Sequence, residues 1–330
     1  MTTHTETTLR LQFEQIAALR DAIARVIVGQ REVVEQLLIG LLAGGHCLLE
    51  GVPGLGKTLL VRSLGQALAL DFRRIQFTPD LMPSDIIGTE ILEEDHGTGR
   101  RYFKFQQGPV FTHLLLADEL NRTPPKTQSA LLEAMQERTI SYAGTTHALP
   151  RPFFVLATQN PLEQAGTYPL PEAQLDRFLL QIRVDYPDEA EERAILAQTT
   201  GSTDARIDAV MDGAQVLALQ ALVREVHVGD ELLAWITRLV RATRPSTSTI
   251  GPVREWVRWG AGPRAGQSLV LAAKARAVIH GRLAATREDV HALAAPVLRH
   301  RLLLSFAAEA EQRDSDEVVA ALLHALPSPG

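Results

Sequence analysis

The segment Gly51–Thr58, GVPGLGKT, most constrains what this 330-residue chain can fold into. It fits the spacing G-x-x-x-x-G-K-[ST], directly after the apolar run Cys47-Leu48-Leu49-Glu50 and before the helical run LLVRSLGQALA. A strand that turns this tightly into a helix aims several backbone N–H groups at one spot, and the helix N-terminus adds partial positive charge there. Such a spot suits a phosphate. Gly51, Gly54 and Gly56 permit close approach, with Val52, Pro53 and Leu55 between them, and Leu59 continues into the helix. Lys57 is of the right type to bridge β- and γ-phosphates, and Thr58 to ligate Mg²⁺. A glycine-rich turn beside an unrelated lysine is the plain alternative, and the strand-loop-helix context weighs against it.

The rest of the first half has the pattern that such a loop requires. Short apolar runs, HCLLEGVPGLGKT, FRRIQFTPD, HLLLADE, FFVLATQNP and RFLLQIRVDYP, alternate with helical stretches. Continuous apolar strands separated by helices predict an α/β fold with a parallel sheet covered on both faces. Ahead of it, Ile16, Leu19, Ile23 and Ile27 recur at helical spacing over residues 9–27, and a second helix follows over about 31–43. Beyond Tyr186-Pro187 the runs DEAEERAILAQ, AQVLALQALVREV, ELLAWITRLVRAT, QSLVLAAKARAVIHG and REDVHALAAPVLRHRL all carry three-four spacing. The length allows two cores, so the expected division is an α/β domain with its N-terminal helix over 1–187 and a smaller all-α domain over 188–330. The closing LPSPG reads as a frayed tail.

A nucleotide site needs a metal-side acid, and Asp118 ends the apolar strand Leu114–Ala117, where open parallel sheets bind ligands. Adjacent Glu119 can then polarise an attacking water. Two neighbouring acids also fit a solvated strand end, and the upstream loop favours the functional reading. Asn160 ends the strand of FFVLATQNP, where its amide can hold the water or the γ-phosphate; an Asn before Pro is equally a turn. Arg177 in PEAQLDRF is a charged fork suited to phosphoryl charge, or a partner for neighbouring Asp176. Arg264 in GAGPRA precedes a helix of the second domain, with an exposed helix-start arginine as the bland alternative.

Composition narrows the classes further. A formal charge of −6 and a pI near 5.9 argue against a surface built to neutralise nucleic-acid phosphates. Only four of the 33 basic residues are Lys, so a lone Arg carries little weight without a motif. Single Cys47, in an apolar run, reads as a small buried side chain. No signal-peptide pattern and no 18-residue apolar stretch occurs, which predicts a cytoplasmic protein without membrane insertion. The ten histidines lack metal-site spacing, and His280 and His291 read as packed or solvated.

Taken together, GVPGLGKT, LLLADELNRTPPKTQSALLEAMQE, LATQNP, PEAQLDRF and GAGPRA resemble, in order and spacing, the MoxR family of AAA+ ATPases, over about residues 28–301. The resemblance implies a Walker A loop at Gly51–Thr58, a Walker B pair at Asp118-Glu119, sensor 1 at Asn160, an arginine finger at Arg177 acting on the adjacent subunit, and sensor 2 at Arg264. It also implies ATP and Mg²⁺, adenine against Val28-Gly29-Gln30, and a homo-oligomeric ring, usually a hexamer. Residues 91–111 and 137–153 resemble the clade's two inserts, the first with a turn at Gly97-Thr98-Gly99. Pore contacts by Tyr102, Phe103 or Tyr142 would follow, though ordinary β-hairpins give the same pattern. Gly262 stands where many relatives have serine. The implied role is a chaperone-like remodeller that matures a partner complex, often one with a von Willebrand factor A domain. Two other readings stand beside it: a nucleic-acid-stimulated motor, which the acidic balance disfavours, and the ATPase subunit of a metal chelatase.

Overall fold

The computed structural model describes residues 6–327 apart from 53, 95–96, 98, 161–165 and 201–206. Its strands are β1 (Cys47–Glu50), β2 (Phe72–Gln76), β3 (Gly88–Glu94), β4 (Arg101–Gln107), β5 (Leu114–Asp118), β6 (Thr139–Tyr142), β7 (Thr145–Ala148), β8 (Phe154–Gln159), β9 (Leu180–Arg183), β10 (Val257–Trp259) and β11 (Leu303–Leu304). Five of them form one parallel sheet in the order β2-β5-β8-β1-β9. These are the five apolar runs read from the sequence.

Alternation along β5 and β8 explains why these two runs are continuously apolar. Leu114 and Leu116 of β5 enter one core and Leu115 and Ala117 the other, and in β8 Leu156 divides in the same way from Val155 and Ala157. Both faces are therefore dry. Burying each such leucine contributes about 1.5–3 kcal/mol. The two cores lie on opposite faces of the sheet, and the larger continues into the C-terminal helices. One face is covered by the helix Pro125–Glu137 through Leu131, Leu132 and Met135. The other is shared with Ile16, Leu19 and Ile23 of the first helix (Glu6–Ala24), Leu37 and Leu41 of the second (Arg31–Leu42), and residues of the C-terminal helices such as Leu222, Leu269 and Leu293.

The C-terminal part is mainly helical, as the spacing predicts, with its principal helices at Glu189–Thr199, Gly213–Glu225, Asp230–Ala242, Pro263–Ile279, Arg287–Leu298 and Ser315–Ala325. It also contains a two-stranded ribbon, β10 against β11, too short for periodicity to reveal. The helix Pro263–Ile279 starts from Gly262, which supplies no side-chain cap where a serine would. His280 and His291 are both exposed, the first meeting the Glu35 carboxylate at 3.0 Å and the second stacking its ring on Trp235. Cys47 is fully buried, which pushes its thiol pKa up.

Both insert segments are hairpins. β3 pairs with β4 and β6 with β7, and the second turns through Ala143 and Gly144, both with positive φ. Phe105 of the first stacks on His147 of the second at 4.3 Å and lies 5.3 Å from the Tyr142 ring, so the hairpins pack side by side. Phe103 is 70% exposed and Tyr102 is also outward-facing, its hydroxyl donating to Glu93 at 2.9 Å. Thr98 of the expected Gly97–Gly99 turn lies outside the described residues.

His46, just before β1, joins three elements. Val155 N–H donates to its Nδ1 at 3.0 Å and its Nε2 meets the Met135 carbonyl at 3.0 Å. Only the neutral Nε2–H form satisfies both, because a proton on Nδ1 would face the Val155 N–H. Burial accordingly lowers the His46 pKa to about 4. The folded pKa lies below the unfolded one, so this stability is complete above about pH 6.5 and is lost as pH falls toward 4. Denaturant melts should show the His46→Leu protein losing about 1–3 kcal/mol less than wild type between those limits; equal acid sensitivity would remove His46 as the titrating group.

Candidate active site

The sheet register brings four strand ends together. Gln76 is paired with Asp118, and Leu49 with Thr158, so the carboxyl ends of β2, β5, β8 and β1 open on one side. The cleft there is about 260 Å³ and is lined by Gly54, Gly56, Lys57, Thr58 and Leu59 from the loop, by Asp118, Glu119, Thr158 and Asn160, and by Arg74 and Gln76 from β2. Gly54 and Gly56 have φ of 89° and 73°, and space around both is open. Backbone conformation, not crowding, demands glycine there. The helix Lys57–Ala67 then starts without a side-chain cap among the described residues, leaving its first N–H groups for an anion.

Lys57 donates to the carbonyl of Gly51, folding its ammonium back over the loop. Burial lowers its pKa, while Asp118, Glu119 and Glu50 act in the opposite direction. Three acids around one half-buried ammonium keep the cleft's charge mixed. Gln30 donates to the Leu55 carbonyl at 3.3 Å, which sets Val28-Gly29-Gln30 against the loop. The Glu191 carboxylate lies over Gly29, where an added Cβ would come within 2.4 Å of it. Leu55 packs on the main core, Val52 is half-buried, and Pro53 lies outside the described residues.

Asp118 and Glu119 differ in environment despite being adjacent. Asp118 accepts from Thr158 Oγ1 at 2.6 Å and from Arg74 at 2.6 and 3.0 Å. Glu119 leaves the strand with φ 58° and ψ 49°, a left-handed conformation that costs a non-glycine residue on the order of 1 kcal/mol. Its N–H donates to the same Thr158 hydroxyl at 2.8 Å, and its carboxylate meets Gln76 at 2.6 Å and Arg122 at 3.1 Å. The turn separates the two carboxylates. Thr58 and Asp118 offer hard oxygen donors on one cleft wall, a donor set that fits Mg²⁺.

Asn160 is 7% exposed and lines the same cleft from the end of β8. Arg177 and Arg264 do not. Arg177 extends from the turn after residues 172–175 and donates to the Leu132 carbonyl at 2.9 Å, in a separate hollow with Glu133 and Gln136. The sequence alternative of an Arg177–Asp176 ion pair is not what forms: Asp176 pairs with Arg301 at 2.7 Å and with Arg264 at 3.4 Å. Arg264 thus stands near the Arg177 turn instead of lining the loop cleft. Thr158, Arg74 and Gln76 are cleft residues that sequence reasoning missed. The signal for the last two was a polar pair at i, i+2 near a strand's carboxyl end, one face of β2.

Residues 46–180 match the family described as "ATPase family associated with various cellular activities (AAA)", and residues 253–322 match "AAA lid domain". Over 93% of its length the chain is 45% identical to Chaperone MoxR1 of Mycobacterium tuberculosis, spanning 80% of that protein. It is also 34% identical to Protein MoxR of Paracoccus denitrificans, with 94% of each chain covered.

The chain belongs to the MoxR family of AAA+ ATPases.

Its fold agrees with that of a candidate ATPase from Cytophaga hutchinsonii, with a TM-score of 0.91, 39% identity and 98% of each chain covered. As a MoxR-family member it binds and hydrolyses ATP, with residues 46–180 matching the ATPase domain and residues 253–322 the lid. No helix among the described residues is long and apolar enough to cross a membrane.

Proposed function

We propose that this MoxR-family ATPase works as a Mg²⁺-dependent, chaperone-like remodeller in a homo-oligomeric, hexameric ring, maturing a partner complex of the kind that carries a von Willebrand factor A domain. The observation that carries the ATPase part is the convergence of the loop, Asp118, Glu119 and Asn160 on one cleft at adjacent strand ends. The name of the relative Chaperone MoxR1 supports the remodelling part.

In this reading the loop N–H groups and Lys57 hold the β- and γ-phosphates. Lys57 exchanges the Gly51 carbonyl for phosphate oxygen. Thr58 and Asp118 hold Mg²⁺, which supplies charge neutralisation on the phosphates. Glu119 orients a water for in-line attack on the γ-phosphorus and takes its proton, while Asn160 steadies the water or the γ-phosphate. Electrons of the breaking bond stay on the departing β-phosphate oxygen, near Lys57. Arg177, which lies outside its own subunit's cleft, completes the site of a neighbour, and Arg264 pairs with Asp176, the residue before Arg177. ATPase measured with and without proteins encoded beside this one tests the remodelling role. Stimulation by a von Willebrand factor A protein supports it, and stimulation by DNA with a steep salt dependence would replace it with the motor reading.

Arg74 competes with the cation for Asp118. Since a half-exposed ion pair contributes up to about 1 kcal/mol, Arg74→Met should lower the Mg²⁺ concentration for half-maximal ATPase by about two- to fivefold. A Mg²⁺ titration giving an unchanged or higher midpoint would show that the pair does not compete.

A further inference from the structure

Arg301 ends the short turn Arg299–Arg301 of the lid, far in sequence from the nucleotide motifs. Its side chain is 2% exposed, so every donor needs a partner inside the protein. Nε donates to Asp176 Oδ1 at 2.7 Å. The two terminal nitrogens donate to the carbonyls of Asp176 at 3.3 Å, Phe178 at 2.6 Å and Leu179 at 3.2 Å, to Ser268 Oγ at 3.1 Å, and to the Val297 carbonyl. Four of these six acceptors belong to residues 176–179. Only a planar fork with five N–H donors can span them together.

A lid arginine that simply fastened the lid to the body could grip any part of the body. This one grips the backbone on both sides of Arg177. The Arg177 side chain is left to leave the turn in the other direction, toward the Leu132 carbonyl. The second oxygen of Asp176 takes Arg264 at 3.4 Å. One buried guanidinium therefore fixes the turn that carries Arg177 by its backbone, and Arg264 through a shared carboxylate.

We propose that Arg301 is a positioning residue for the site of the neighbouring subunit, holding the turn that carries Arg177 in the geometry that the neighbour's nucleotide requires. The proposal rests on the reading of Arg177 as acting in trans. Arg301 touches no reacting atom. It acts in the subunit whose own loop, Asp118 and Glu119 it leaves unaltered.

Arg301→Lys keeps the charge but cannot span the acceptors. The expected result in the full-length protein is a kcat about 10- to 100-fold lower, with binding of a fluorescent ADP analogue within about twofold of wild type. The deciding measurement mixes this variant with Lys57→Ala, whose own sites are inactive but whose Arg177 edge is intact. Turnover above the sum of the two parents supports the proposal, because an Arg301→Lys site beside a Lys57→Ala subunit receives an intact edge. A fold-wide defect would not be rescued this way. The parallel mixture of Arg177→Ala with Lys57→Ala separates the two readings. Recovery there without recovery for Arg301→Lys overturns the role of Arg301, whereas failure of both overturns the trans reading and the proposal with it. Unchanged kcat in Arg301→Lys also overturns it. Should that variant not fold, Asp176→Asn, which removes the shared counter-charge at nearly constant shape, is read in the same mixture by the same criteria.

Discussion

Glu119→Gln is expected to bind ATP with an affinity within about threefold of wild type and to turn it over about 10²- to 10⁴-fold more slowly, the usual contribution of a positioned general base. The amide has nearly the shape of the carboxylate but accepts no proton from the attacking water. The surrounding contacts make the comparison a clean one. The Asp118 carboxylate keeps its own donors, Thr158 Oγ1 and Arg74, when the charge at position 119 is removed, so the proposed metal-side acid stays in place. Glu119 is also held by its left-handed backbone and by the Thr158 hydroxyl on its N–H, neither of which depends on the side chain. Equilibrium nucleotide binding and single-turnover hydrolysis, measured on the same preparation, check both halves. Turnover within tenfold of wild type would remove Glu119 as the base.

Arg177→Ala should lower kcat by about 10³- to 10⁵-fold, the range for an arginine that stabilises phosphoryl charge from outside the nucleotide's own subunit. Its guanidinium contacts the Leu132 carbonyl and lies in a hollow apart from the loop cleft, so nucleotide affinity of the isolated site should hold within about threefold. A trans role has a signature that affinity alone lacks. Rings mixed from Arg177→Ala and Lys57→Ala subunits contain some interfaces in which an intact loop meets an intact arginine, and these should hydrolyse ATP although neither parent does. Titrating one variant into the other should give activity that rises and falls with the mixing ratio. A mixture no more active than its parents would place the arginine's effect within its own subunit.

How much of this was legible in the sequence follows from the distance over which each feature is encoded. The loop Gly51–Thr58 and the pair Asp118-Glu119 are each local, with strand, turn and side chains within a few residues, so each is legible by itself, and the sheet order then brings the two together. Arg74 and Gln76 were legible as a polar pair on one face of β2, but only register puts that face, and Thr158, beside Asp118, since nothing near them in the chain says which strand will lie beside β5. Arg301 reaches Asp176 across 125 positions, and no periodicity encodes that contact. Arg264 was legible as a residue but not as a location, because a motif before a helix does not say which edge of the body that helix will face. Helical periodicity also identified the apolar face of each C-terminal helix without naming its partner. That partner is in large part the sheet and the N-terminal helices.

The shared core has a practical meaning for anyone dividing this protein into pieces. Leu37, Leu49, Leu156, Leu222 and Leu269 belong to one continuous apolar mass that draws on the N-terminal helices, the sheet and the lid alike. Charged contacts run beside it, Arg183 with Asp314 and Arg301 with Asp176, so the C-terminal helices are joined to the body by apolar and polar contacts together. Removing the C-terminal helices would uncover the part of that mass formed by Leu222 and Leu269 and take Arg301 from the Arg177 turn in the same stroke. Foldability and the proposed communication between subunits thus draw on the same contacts, and a truncation meant to simplify one would forfeit both.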